Sequence, residues 1–148
     1  MTVIFRDDFE TGNFAAWSTT AVSAGESITV LNVDPHHGTY HARAFAALDS
    51  ADGDYAYCVR SIPSQSVLYT RLYVKFLSLP PSTPSGRSMT LLRFFAGGSA
   101  AFEVGVKYLG GQVRWKICYR DFSLPAPWTE LDTTVNPPVV GVWYCVLG

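Results

Sequence analysis

The chain has 148 residues, about the size of one ordinary domain, with 48% hydrophobic residues, 16% charged residues and a formal net charge of −1. Disordered chains contain fewer apolar residues than this. Proteins that bind nucleic acid or anionic lipid usually have a basic surface. No apolar run reaches the roughly 18 residues that would cross a bilayer. The composition predicts one packed domain over 1–148 that neither binds nucleic acid nor inserts into a membrane.

A secretion signal has a basic segment, then an apolar segment, then a cleavage site with small residues. The first residues of this chain do not show that pattern. The alternating pattern described next begins close to Met1. Two explanations stay open, a leader that was removed and synthesis without a leader. The expectation is an extracellular or virion-surface protein.

Alternation of apolar and polar residues predicts strands through most of the chain. In the first half the pattern is weak, with strands predicted at 2–6, 27–33, 40–47 and 55–60 and a short helical turn near 13–17. The clearest strands follow at 68–76, 101–108 and 112–120, with weaker ones at 88–96 and 141–147. Gly110-Gly111 predicts a tight hairpin between two of the clear strands.

Many short strands without a convincing amphipathic helix predict an all-β fold, an antiparallel two-sheet jelly-roll sandwich. The apolar positions of the strands supply the expected core, with Trp17 and Trp143 expected to be core residues as well. The expected core comprises Phe5, Leu72, Val74, Phe76, Val104, Val106, Trp115, Ile117 and Tyr144.

The three cysteines make an odd count and lack the spacing of a zinc site. Two interpretations remain. Three reduced thiols are favoured, because cysteine is a common small buried residue. The alternative is one disulfide, with Cys118 and Cys145 as a candidate pair, and one free thiol.

Four segments, in this order, are similar to those of concanavalin A-like (laminin-G-like) jelly-roll modules. They are FRDDFETGNFAAW at 5–17, HGTYHAR at 37–43, LYTRLYVKF at 68–76 and VWYCV at 142–146. The resemblance covers most of the chain and implies the jelly-roll fold. In such modules one or two further hairpins usually follow the last of these segments, and here they are missing. A fragment, a minimal sandwich and an assembly subunit completed by a neighbour's strand each account for this departure.

Two groups of acidic residues are candidate calcium ligands, because calcium prefers several oxygen ligands. Asp7 and Asp8 lie near the N-terminus, where related sandwiches often hold a structural calcium. Asp52 and Asp54 belong to a second acidic loop. For both groups an ordinary polar turn is the favoured alternative.

The sequence contains no recognisable catalytic motif. Jelly-roll glucanases carry the pattern E-x-D-x-x-E, which is absent, and no polysaccharide-lyase pattern, nucleophile elbow or phosphate loop is present either. We therefore expect a protein that is not an enzyme, with a lyase or glycosidase as the third-ranked function.

The polar faces of the strands carry an unusual number of tyrosines and arginines. Aromatic rings stack on sugar C–H groups, and arginine suits hydroxyl, carboxylate or sulfate groups. The candidate glycan-binding residues are Tyr69, Arg71, Tyr73, Arg114 and Trp128. An ordinary solvent-facing sheet with cross-strand pairs, such as Glu103 with Arg114 or Lys116, is an equally good explanation.

The leading functional prediction is a non-catalytic, lectin-like carbohydrate-recognition module that binds a glycan or polysaccharide. The alternative is a self-assembling structural subunit of a virion, tail or extracellular filament, with copies of itself or other subunits as partners.

Overall fold

The computed structural model describes residues 2–46, 53–82, 87–121 and 128–148. Within these ranges the protein is all-β, with ten strands that pair only in antiparallel fashion and no helix. In the same ranges no helix is long and apolar enough to cross a membrane. The chain divides into two compact units, one reaching to Thr70 and including Gly148, the other comprising Arg71–Leu147.

The N-terminal unit contains two separate strand pairs. Strand β1 (Thr19–Val22) pairs with β4 (Ala56–Val59), and β2 (Ser27–Leu31) pairs with β3 (His41–Phe45). Before β1 the chain forms turns around an aromatic cluster. The ring of Trp17 meets Phe5 edge-on at 5.0 Å and stacks on Phe9 at 6.1 Å between centroids.

The second unit contains a two-stranded and a four-stranded sheet. Strand β5 (Arg71–Lys75) pairs with β10 (Trp143–Leu147). The larger sheet has the order β6 (Ser88–Ala96), β7 (Ser99–Leu109), β8 (Gln112–Arg120) and β9 (Trp128–Thr133). Gly110 and Gly111, both with positive φ, form the tight turn between β7 and β8, as the sequence predicts.

Aromatic side chains connect the two sheets of this unit. The ring centroid of Trp115 on β8 lies 5.1 Å from that of Tyr144 on β10. It lies 5.7 Å from the ring centroid of Phe76, which follows β5. Alternation along the strands then directs Tyr73 and Trp143 to the opposite, outward side of the small sheet. Val106 on β7 is fully buried and marks the centre of the apolar layer.

Gly105 allows β6 to pass close to β7. The pairing of these strands shifts register between Thr90 and Leu92, the mark of a β-bulge. A Cβ atom on Gly105 would overlap the carbonyl oxygen of Met89 and lie 3.1 Å from Thr90 Cα. Only a residue without a side chain fits there.

The strand predictions are largely confirmed from 27 onward, with narrower bounds in several places. The predicted strand at 2–6 is wrong, because these residues form no strand. The expected helical turn near 13–17 is a single turn, in which Trp17 N–H donates to Phe14 O at 2.9 Å. Strands β1 and β9 are not anticipated. The all-β antiparallel class is confirmed.

The expected core is correct at its centre and wrong at two positions. Phe76, Val104 and Val106 are buried. Ile117 is 42% exposed, although it shares the apolar face of β8 with Trp115. Trp143 is half-buried on the outward side, because the inward position on β10 belongs to its neighbour Tyr144.

Candidate functional site

The four-stranded sheet carries ionic side chains along one face, which we name the charged face. Strand alternation and register place its members on the same side of β6 to β9. The charged face comprises Ser88, Thr90, Arg93, Glu103, Lys107, Arg114, Lys116, Cys118, Arg120, Trp128, Glu130 and Asp132.

Glu103 lies near the middle of the charged face and is 8% exposed. Its Oε1 accepts Arg93 Nε at 2.6 Å, and its Oε2 accepts the hydroxyl of Thr90 at 3.3 Å. Lys116 Nζ lies 4.0 Å from the same Oε2. A buried carboxylate needs such partners, because an unpaired charge inside a protein is very costly.

Lys116 is the most deeply buried cation of the charged face, with its side chain 7% exposed. An ammonium group has three donors. Among the described residues, Lys116 Nζ donates one hydrogen bond, to Ser88 Oγ at 3.3 Å, besides the ion pair with Glu103. Lys116 therefore keeps donor capacity for an acceptor placed next to it.

Glu130 on β9 forms an ion pair with Lys107 on β7, and the pair crosses β8. Lys107 pairs with Arg114 of β8 and Glu130 pairs with Cys118 of β8, so the ion pair runs diagonally across that strand. The hydrogen bond from Lys107 lowers the pKa of the Glu130 carboxyl. Cys118 lies between the strands, with Sγ 3.7 Å from Glu130 Oε2, and burial raises the pKa of its thiol.

A shallow cleft of about 280 Å³ opens on this part of the charged face. The ring of Trp128 belongs to its lining and is 45% exposed, so an apolar surface stands beside buried ionic groups. Pockets for drug-sized ligands start at about 300 Å³, so the cleft suits a single small ring. Its lining consists of Glu103, Lys116, Cys118, Trp128, Thr129 and Glu130.

Arg114, another predicted glycan residue, lies on the charged face but away from the cleft lining. Its Nη1 donates to Asp132 Oδ1 at 2.9 Å, and both side chains are about three-quarters buried. Trp128 pairs with Arg120, at the opposite end of β8 from Arg114. The structure does not bring these two predicted residues together.

Arg71 and Tyr73 form a second surface, on the outward side of the two-stranded sheet. The Arg71 guanidinium lies 5.6 Å from the centroid of the Tyr73 ring. Lys75 Nζ lies 5.1 Å from the centroid of Trp143, its partner on β10. We name the outward positions of this sheet the aromatic–cation face: Arg71, Tyr73, Lys75, Trp143, Cys145 and Leu147.

Tyr69, the remaining predicted glycan residue, belongs to the N-terminal unit and is 69% exposed. The predicted set therefore falls into three groups: the charged face, the aromatic–cation face and Tyr69 by itself. Sequence reasoning treated Glu103 and Lys116 only as members of cross-strand pairs and missed Glu130. The available signal was the row of ionic residues at alternate positions of strands that are otherwise apolar.

Asp7 and Asp8, the first pair of proposed calcium ligands, are engaged by nearby backbone and side-chain groups. Asp7 Oδ1 accepts Phe9 N–H at 2.9 Å and its Oδ2 accepts the indole N–H of Trp17 at 2.6 Å. Asp8 accepts Glu10 N–H at 3.3 Å and lies 3.6 Å from the Arg6 guanidinium. Asp52 lies outside the described residues, and Asp54 lies inside them. No group of three or more His, Cys, Asp or Glu among the described residues is arranged to hold a metal ion.

All three cysteines are free thiols, so the candidate pair Cys118 and Cys145 is not joined. They differ in environment, with Cys118 buried, Cys58 half-buried and Cys145 exposed. Burial raises the pKa of the Cys58 thiol to about 11.

No protein-family model matches the sequence, and neither the comparison with curated proteins nor the comparison with solved structures finds a match. Inference about function therefore depends on the two faces themselves.

Proposed function

We propose that the protein is a non-catalytic, lectin-like carbohydrate-recognition module that binds one sugar unit of a glycan in the cleft of the charged face. The observation that carries the proposal is a cleft whose lining includes both the half-exposed Trp128 and the buried Lys116, whose ammonium keeps donor capacity among the described residues. Such a module acts outside cells or on a virion surface. A jelly-roll sandwich, in line with the all-β antiparallel class, is the fold that we propose with it.

A sugar ring matches the chemistry of this cleft. Its C–H groups pack on the indole of Trp128, and its hydroxyls both donate and accept hydrogen bonds. Lys116 donates to one hydroxyl, while the carboxylate of Glu130 accepts from another. Keeping ionic groups buried on a sheet face is costly compared with apolar residues of similar size, and ligand recognition gives a reason for keeping them.

The state of the two carboxylates favours binding over hydrolysis. A glycosidase needs one carboxyl group with a raised pKa to protonate the leaving oxygen. The Lys107 hydrogen bond lowers the pKa of Glu130, and Glu103 is paired with Arg93 at 2.6 Å. Glu130 is therefore not prepared to donate a proton, and glycosidase or lyase activity remains the third-ranked function.

A glycan array followed by titration tests the proposal. We expect Trp128→Ala to weaken binding of the best glycan by roughly tenfold or more, which corresponds to about 1.4 kcal/mol. Lys116→Met keeps the aliphatic stem, removes the ammonium and should also weaken binding. Tyr119→Ala is the matched control, because Tyr119 lies on the opposite face of the same sheet.

A blank array, or unchanged affinity in both cleft variants with intact folding, would contradict the proposal.

The array is run once with calcium and once with a chelator. Binding that is lost with the chelator supports a structural calcium ion at Asp7, Asp8 and the Asp52–Asp54 loop, and binding in both conditions removes the need for one.

A self-assembling subunit is the second candidate function. It is favoured by three exposed neighbours on the apolar side of β8 and β9, namely Ile117, Tyr119 and Leu131. Contiguous exposed apolar residues commonly mark a protein–protein contact. The proposed partner is a second copy of this chain.

A further inference from the structure

We propose that Lys116 makes the cleft of the charged face selective for a sugar unit that carries an anionic group, a carboxylate or a sulfate. This inference rests on the proposed function, because it names the class of sugar that the same cleft takes. Lys116 is then the residue that determines specificity, and the anionic group of the sugar pairs with its ammonium.

The balance of charge around the cleft is the first argument. The lining contains two carboxylates, those of Glu103 and Glu130. Glu103 has two cations beside it, Arg93 and Lys116. Glu130 has one, Lys107. Within this group of described residues, three positive charges face two negative charges, which leaves a surplus of one positive charge. An anionic group on the sugar brings the group to neutrality.

The surplus falls on Lys116, because Glu103 is already engaged by other groups. Glu103 Oε1 accepts from Arg93 Nε at 2.6 Å, and its Oε2 accepts from the hydroxyl of Thr90 at 3.3 Å. Lys116 Nζ lies 4.0 Å from Oε2, too far for a hydrogen bond. Among the described residues its one hydrogen bond goes to the neutral hydroxyl of Ser88. A buried ammonium is costly without a close anionic partner, and a ligand anion supplies one.

The thiol of Cys118 leaves this surplus in place. Cys118 lies two residues after Lys116 on the same face of β8, and both residues line the cleft. A thiolate there would offset the ammonium. Burial raises the pKa of the Cys118 thiol, so it stays neutral at physiological pH.

The cleft favours an anionic group on a sugar over a free inorganic anion. Trp128 belongs to the same lining and is 45% exposed, so its indole offers a stacking surface that a small ion does not use. The volume of about 280 Å³ also accepts a ring together with its substituent. A uronic acid or a sulfated sugar has both parts, a ring for Trp128 and an anion for Lys116.

Titration of matched methyl glycosides tests this inference, with the full chain as the protein. The acidic probes are methyl glucuronide, methyl galacturonide and the 6-sulfates of methyl glucoside and methyl galactoside. Unmodified methyl glucoside and methyl galactoside are the neutral counterparts. We expect at least one acidic probe to bind roughly tenfold or more tightly than its neutral counterpart, because hydrogen bonds between charged groups are the stronger ones. The carboxylate and sulfate arms show which anionic group the cleft takes.

Lys116→Met should abolish this preference, so that acidic and neutral probes bind about equally. Arg43→Gln is the matched control, since it removes one positive charge from an exposed position on β3 in the N-terminal unit, and the preference should persist in it. A preference that survives in folded Lys116→Met, or that falls equally in Arg43→Gln, would overturn the inference.

Failure of this inference is distinguishable from failure of the proposed function. Neutral probes that bind the unmodified protein as tightly as the acidic ones would overturn the anionic preference and leave the cleft a sugar site, and this comparison needs no variant to fold. Inorganic sulfate that binds as tightly as the best acidic probe would overturn it too, because the sugar ring would then contribute nothing. Absence of binding by every probe and every array glycan would overturn both proposals.

Discussion

The three cysteines of this protein differ widely in burial. Cys145 is exposed on the aromatic–cation face, Cys118 is buried in the charged face, and the pKa of Cys58 is raised to about 11 by burial. The thiolate is the reactive form. At pH 8, three units below that pKa, about one Cys58 in a thousand is ionised.

We expect one thiol per chain, that of Cys145, to react quickly with a thiol reagent at pH 8. The other two should react much more slowly, and the rate for Cys58 should rise about tenfold per pH unit until the pH nears 11. Peptide mapping after timed labelling measures both effects. Cys145→Ser should abolish the fast phase, and a fast phase that survives this change would contradict the expected order.

At the scale of the strands, the pairing of β6 with β7 depends on Gly105. Gly105→Ala places a methyl group against the backbone of Met89 and Thr90, which cannot move as a flexible side chain would. Overpacking typically costs about 1–3 kcal/mol, and contact with backbone puts this site at the upper end. Chemical denaturation measures the loss. Gln112→Ala, at the hairpin end of β8, should stay within about 0.5 kcal/mol, and an equally small effect of Gly105→Ala would disprove the close approach.

Strands were predictable from sequence where their own residues alternate. Residues 112–120 alternate clearly after a Gly-Gly turn, and β8 has these bounds. Strand β9 was missed because Leu131 is the one aliphatic residue among its six, so its strand conformation depends on pairing with β8. In the opposite case, Phe5 suggested a strand but packs on Trp17 within a series of turns.

The cleft could also be predicted only in part, because its residues depend on contacts with other strands. Strand parity places Glu103 and Lys116 on a polar face, and a polar face is normally exposed to solvent. Their burial depends on contacts between strands, including the ion pair of Glu103 with Arg93 on β6 and the hydrogen bond from Lys116 to Ser88. The sequence predicts a ligand-binding role for Trp128 but not for its neighbours in the cleft.

At the scale of the whole molecule, the remaining question is association between copies. Strand β9 is the last strand of its sheet, and an edge strand offers backbone groups to another chain. Leu131 on β9 is 57% exposed and lies opposite the exposed Ile117 of β8. Contact through this region buries apolar surface and extends the sheet at once, so we expect dimers or larger species that increase with protein concentration.

Leu131→Lys places a charge in that contact and should shift the protein to the monomer in sedimentation velocity experiments. Val67→Lys is the matched control, since Val67 is equally exposed but lies in the N-terminal unit outside the strands, and this variant should associate like the unmodified protein. A protein that is strictly monomeric at the highest concentration reached would remove self-assembly as a function. Association that persists in Leu131→Lys would move the contact away from β9, because a lysine buried without a partner charge costs several kcal/mol.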